Sequence, residues 1–233
     1  MHRSRAFTLI ELLVVISIIA LLVAILLPAL GKGHDAAKQV VCLANTRSIA
    51  VAMDLYAEDD PRNFYPTARM PMTAPIETSW LHLTRPYVDG RDVYRCPCDR
   101  SHNWDTGPTG RLASYGINAY LTPNHPPYRG VCPHHLRFPS RTVLAAELVE
   151  DLSTDHFMPM FWGDPAAVPN SGMEAMQWDK AKALPKTVMH SRHAGERANY
   201  ILADGHAAAH VFADTWRQEP GERPEVDWYD PKR

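Results

Sequence analysis

The chain has 233 residues, a formal charge of −2, 45% hydrophobic residues and 20 prolines. A near-neutral balance gives no electrostatic case for a nucleic-acid partner, and no biased tract or fixed period points to a low-complexity or repeat architecture. About 30 residues go to an apolar N-terminal segment, and the roughly 200 that remain suffice for one loop-rich globular domain with short strands.

Residues 12–27 are apolar except for Ser17, and the apolar run extends over residues 7–30. A membrane span needs about 20 such residues at 1.5 Å each. His2, Arg3 and Arg5 precede the run and only Lys32 follows it closely, so the positive-inside rule gives N-in, C-out. One charge, Glu11, stands at the start of this helix. A charge inside a bilayer costs about 2.5–3.5 kcal/mol, so an intramembrane acid is functional by default and calls for a partner. Three kinds of segment fit: a plain signal anchor, a secretory signal peptide cut near Ala29-Leu30-Gly31, or a signal cut before the apolar stretch. The length of the run and the position of Glu11 speak against the second.

The string Ala6-Phe7-Thr8-Leu9-Ile10-Glu11-Leu12 resembles, residue by residue, the leader junction of type IV prepilins and type II secretion pseudopilins. The resemblance implies cleavage by a prepilin peptidase between Ala6 and Phe7, and N-methylation of the new Phe7 amine. It also implies that Glu11 pairs with the Phe7 amine of a neighbouring subunit during assembly. Ala6 departs from the glycine usual before the cut, although both are small. Pro28 falls where these helices often carry a proline. Such proteins place a long N-terminal helix on a small antiparallel β-sheet domain, an α+β, pilin-like fold.

Pro28 removes a helical hydrogen bond and Gly31 and Gly33 weaken the next turn, which predicts a kink or local melting between Leu26 and Gly33. Residues 35–58 then read as helix again. Cys42, Ile49, Met53 and Tyr56 share the face that packs on the domain, opposite Lys38, Arg47 and Asp54. The expected organisation is a leader (1–6), a membrane and assembly helix (7–30), its amphipathic continuation (31–58), and an extracytoplasmic domain (59–233).

Within that domain, a short helix is expected over residues 80–88, stopped near Pro86. Strands or strand entries are expected at residues 93–96, 115–118 and 141–149, and a long proline-rich surface loop over 157–186. Residues 198–203 and 206–212 flank Asp204-Gly205, and an Asp-Gly between two strand-like runs predicts a type I′ hairpin. This hairpin with Arg192-His193 resembles the H-X9-D-G signature of a pseudopilin-like subgroup, carried here by His193, Asp204 and Gly205. Ten residues rather than nine separate His193 from Asp204. Arg95-Cys96-Pro97-Cys98-Asp99 resembles that subgroup's Cys-Pro-x-Asp element.

Cys96, Cys98 and Cys132, with His134 and His135, supply zinc-type ligands, but the C-x-C spacing is tight. An oxidising compartment favours a disulfide from Cys132 to Cys96 or Cys98, with free thiols and a metal as alternatives. His190, His193, Asp204, His206 and His210 cluster without a nucleophile motif, and His206 and His210 fall four apart on one strand face. Some pseudopilins hold calcium near the C-terminus, yet Glu219, Glu222, Glu225, Asp227 and Asp230 fit no defined loop. The reading is a non-enzymatic pseudopilin or pilin-like subunit without a required cofactor. Its expected partners are prepilin peptidase, other subunits, the inner-membrane assembly platform and lipid. An anchored metal-binding protein or hydrolase, and a surface-displayed binding module, are the competing classes.

Overall fold

The computed structural model describes residues 9–71, 74–104, 110–162, 178–179, 184–218 and 224–232. The chain divides into two compact units, residues 1–38 and 39–233.

In the first unit, helix α1 (Leu9–Asp59) begins with Glu11 in its first turn. Its large apolar side chains from Leu9 to Leu30 are exposed. Ser17 Oγ donates to the Leu13 carbonyl at 2.7 Å, which satisfies its hydroxyl within the helix itself. Helix is continuous through residues 26–33, so the expected melting is not found. Pro28 costs α1 one backbone hydrogen bond, but the turns on either side carry the helix past it.

In the second unit, the last turns of α1 bury Cys42, Thr46, Ile49, Ala50, Ala52, Met53 and Ala57, the face that the apolar spacing predicts. The helix stops at Asp59 because Pro61 offers no N–H. Asn63, at φ 54°, turns the chain, with its amide donating to the Asp60 carbonyl at 2.8 Å.

A five-stranded sheet forms the centre, in the order β3-β1-β2-β6-β7. The strands are β1 (Tyr115–Asn118), β2 (Val143–Glu147), β3 (His156–Phe157), β6 (Arg197–Leu202) and β7 (Ala207–Val211). Four are paired antiparallel, but β3 lies parallel to β1, so the sheet is mixed rather than purely antiparallel. Alternation along the strands builds a core on each face. Tyr115, Ile117, Leu144 and Ile201 pack with Ile49 and Met53 of α1 and with Trp80 of the short helix α2 (Trp80–Leu83). Val143, Tyr200 and Leu202 pack with Phe157, Trp162, Phe212, Trp216 and Tyr229. Phe212 and Trp216 come from helix α3 (Phe212–Thr215) and β8 (Trp216–Arg217), which pairs with β9 (Val226–Asp227).

Several expectations are corrected. Residues 92–94 form a 3-10 turn, not a strand; the following Cys96 is buried and cannot lie on an open edge. The segment expected as a surface loop from residue 157 starts inside the core, at Phe157 and Trp162, because aromatic burial outweighs its proline content. It also contributes a two-stranded ribbon, β4 (Trp178–Asp179) with β5 (Leu184–Pro185). The β6–β7 turn is not type I′. Gly205 (φ 79°) alone of the turn residues is left-handed. Its amide donates to the Leu202 carbonyl at 3.1 Å, and the Leu202 amide donates to His206 at 2.8 Å. That is a three-residue loop, a type I turn closed by a left-handed glycine.

Candidate functional site

Two places carry chemistry. The first is the start of α1. Glu11 is exposed on a helix that is long and apolar enough to cross a membrane. Ala6 and Phe7 lie outside the described residues.

The second is a buried polar centre assembled from segments far apart in sequence. A disulfide joins Cys42 of α1 to Cys96, with Cα atoms 5.0 Å apart. This corrects the expected pairing of Cys132 with Cys96 or Cys98. Cys42 points from the buried helix face, which places it against Cys96, while Cys98 and Cys132 keep their thiols. The Cys96 amide donates to Ser114 Oγ at 2.8 Å, and Ser114 in turn donates to Asp99 at 2.7 Å.

Asp99 is the first hub. Arg111 donates to its Oδ2 through Nη2 at 2.6 Å and Nε at 2.9 Å. Ser101 donates to its other oxygen, and Arg192 Nη2 stands 3.5 Å away. Burial pushes the Asp99 carboxyl up, but Arg192, the two serines and Arg111 outweigh it and hold the group below the usual carboxylate range. Arg111 spends its remaining donors on the carbonyls of Val149 and Leu152, at 2.7 and 3.0 Å. Arg192 donates to the Leu148 carbonyl at 2.7 Å and lies 3.7 Å from Glu147.

Glu147, at the end of β2, is the second hub. His193 Nε2 lies 3.0 Å from its Oε1 and 2.9 Å from Asn199 Nδ2, and the Asn199 backbone amide of β6 donates to its Oε2 at 2.9 Å. Glu147 is fully buried and His193 nearly so. His193 is led into β6 by a tight turn in which Gly195 and Glu196 are left-handed, and its own amide donates to the Arg197 carbonyl at 2.9 Å. The two carboxylates therefore meet two guanidiniums, while Arg192 Nε and His193 Nδ1 are buried without a hydrogen-bond partner. Removing one partner from such a centre leaves an uncompensated buried charge.

The remaining expected residues separate from this centre. Asp204 and Gly205 close the β6–β7 loop, where Asp204 Oδ1 accepts from the His206 amide at 3.0 Å. A Cβ on Gly205 would stand 3.1 Å from Asp54 Oδ2, so this turn seats against α1. Asp54, expected on the outward face, is thus half-buried beside the turn. Burial, with Glu58 and Asp204 nearby, raises its carboxyl to about 6. His134 lines a cavity with Asp54, Glu58 and Asp204, while His135 is exposed. His206 sits in the loop before β7 and does not share a strand face with His210. In the tail, Glu219 and Glu222 lie outside the described residues. Glu225 pairs with Arg217 at 2.9 Å, Asp227 accepts from the Tyr229 amide at 2.9 Å, and Asp230 accepts from Tyr128 at 2.6 Å. Among the described residues, the ligand-type side chains that converge are Cys42, Cys96, Glu147 and His193, not the Cys98, Cys132, His134 and His135 group.

Sequence reasoning missed Cys42 as a disulfide partner and missed Arg111, Glu147 and Asn199 altogether. Cys42 carried a signal, since it falls on the apolar face of α1. A carboxylate ending an apolar strand, as Glu147 does after residues 143–146, was the other.

Comparison with known proteins supports the reading of the N-terminus. The family model described as the prokaryotic N-terminal methylation motif matches residues 1–27. The chain is 31% identical over 100 residues to type II secretion system core protein G of Klebsiella pneumoniae, covering 42% of this chain and 70% of that protein. It is 36% identical over 77 residues to type II secretion system core protein G of Pseudomonas aeruginosa, covering 33% of this chain and 52% of that protein. No solved structure matches the chain significantly. With the methylation motif heading an apolar helix and 70% of a core protein G covered, the chain belongs to the type II secretion core protein G family of pseudopilins.

Proposed function

We propose that this pseudopilin is cut between Ala6 and Phe7 by a prepilin peptidase, that the Phe7 amine is N-methylated, and that Glu11 docks the subunit on the Phe7 amine of its neighbour. The observation that carries the reading is a carboxylate in the first turn of a helix whose Leu, Ile and Val side chains are exposed. In low dielectric an opposite charge at contact distance is the main offset for desolvating that carboxylate. Cleavage creates such a charge four residues upstream of Glu11, and lateral packing of helices presents it in trans. Pro28 then interrupts backbone hydrogen bonding without ending the helix.

The subunit sits N-in and C-out in the inner membrane, with residues 59–233 outside the cytoplasm. The basic residues before the apolar run and the Cys42–Cys96 disulfide support that orientation. The fibre is a type II secretion pseudopilus, built from further subunits on the inner-membrane platform. The role is structural and not catalytic, and no step of assembly requires calcium or zinc.

Glu11→Ala tests the docking. The variant is expected to insert and to be cleaved like the native chain, yet to be absent from sheared or cross-linked fibres. Normal incorporation of Glu11→Ala would remove the assigned role.

A further inference from the structure

The disulfide between α1 and the domain is surrounded by more ligand chemistry than a staple needs. One ligand atom from each of Cys42, Cys96, Glu147 and His193 lies within 4.8 Å of the others, and all four residues are buried. Two sulfurs, one imidazole nitrogen and one carboxylate oxygen make the donor set of a closed tetrahedral zinc site. His193 Nδ1 is buried without a hydrogen-bond partner, so the second ring nitrogen is free to take the proton when Nε2 gives it up.

We propose that, with the disulfide reduced, Cys42, Cys96, His193 and Glu147 bind one zinc ion, so that the same elements are clamped by metal instead of by the sulfur–sulfur bond. The step balances. A dithiol reductant supplies two electrons and two protons to the Cys42–Cys96 bond and closes to its own disulfide. Zinc then displaces both thiol protons, and the imidazole stays neutral with its proton on Nδ1.

The surrounding charges favour the exchange. In the oxidised centre Asp99 and Glu147 balance Arg111 and Arg192. Two thiolates and one divalent zinc add no net charge, so the buried network is neutral in both states and neither carries an uncompensated ion. Monovalent or harder cations would leave the two thiolates unbalanced or poorly matched in softness. The site gives a newly made chain a way to hold α1 on the sheet before its disulfide forms.

The test uses the full-length chain in detergent, reduced with a dithiol in the presence of cobalt(II) as the spectroscopic substitute for zinc. The expected result is one cobalt per chain with a thiolate-to-metal charge-transfer band, unchanged tryptophan fluorescence, and displacement of the band by zinc. The band is expected to persist in a Cys98→Ser, Cys132→Ser double variant. It is expected to be lost in the oxidised chain and to need at least tenfold more cobalt in His193→Gln, whose amide can still donate to Glu147. Three results would overturn the proposal: a reduced chain that stays folded and binds no cobalt, a band that disappears with Cys98 and Cys132, or a reduced chain that loses its native fluorescence with metal present.

Discussion

The first unit and the second set their carboxylates in different surroundings. In the first, Glu11 stands in the first turn of α1 among exposed apolar side chains. In the second, Asp99 and Glu147 are surrounded by donors from the same chain: Arg111, Arg192, His193, Ser101, Ser114 and the Asn199 amide. Glu11 is the carboxylate proposed for assembly, whereas Asp99 and Glu147 hold the fold. Deleting a carboxylate in each region should therefore give different phenotypes, which offers several ways to probe the contrast.

The largest difference is expected between Glu11→Ala and Asp99→Ala. Glu11→Ala should abolish assembly and leave the thermal unfolding of the domain unchanged. Asp99→Ala leaves Arg111 and Arg192 buried without their carboxylate and should cost about 3–5 kcal/mol. For a domain of this size that lowers Tm on the order of 10 °C, measured by the loss of near-ultraviolet circular dichroism. A marked loss of thermal stability in Glu11→Ala, or a neutral Asp99→Ala, would break the contrast.

Next in size is the disulfide. Reducing Cys42–Cys96 with a metal chelator present should cost about 2–4 kcal/mol through the freed loop of 54 residues. Cys98→Ser and Cys132→Ser should each leave stability within about 0.5 kcal/mol of the native value, since surface or partly exposed changes away from such features do little.

A smaller effect concerns acid. Burial and the neighbouring His156 lower the His125 imidazole to about 4. A folded-state value below the unfolded one means that the unfolded chain binds the proton more readily. The contribution is therefore complete above about 6.5 and is lost as pH falls from there through about 4. The expected loss is about 2 kcal/mol, and His125→Asn should flatten that acid limb of a urea titration.

Asp54 acts in the other direction. Its carboxyl is raised to about 6, so the folded chain binds the proton more readily, and its strain at neutral pH is relieved as pH falls below about 6. Asp54→Asn should stabilise the domain at neutral pH by about 1 kcal/mol, after allowing for its contact with solvent. It should also steepen the acid loss that His125 produces.

How much of this was legible in the sequence follows the same division. The anchor half of α1 was readable because membrane chemistry is written in consecutive residues: length, apolar content, flanking charge and one acid. The packed face of α1 was readable from its period, and the hairpin from its Asp-Gly. The turn geometry was not, since Asp-Gly suits both a two-residue loop and the three-residue loop that Gly205 closes. The buried centre is long-range: Asp99 and Arg192 stood out only as parts of the resemblance's Cys-Pro-x-Asp and His elements, and nothing in the sequence joins them to Cys42, Arg111 and Glu147 until the sheet order brings the five together. The disulfide was misread because Cys42 was assigned to the helix, which left only Cys96, Cys98 and Cys132 to pair with one another.

The central claim is that cleavage at Phe7 makes the cation that Glu11 meets. Mass spectrometry of the mature amino terminus, on chain recovered from membranes that contain the prepilin peptidase, tests it most directly. The account predicts a chain that begins with N-methylated Phe7; a chain that begins at Met1, or near Lys32, would contradict it.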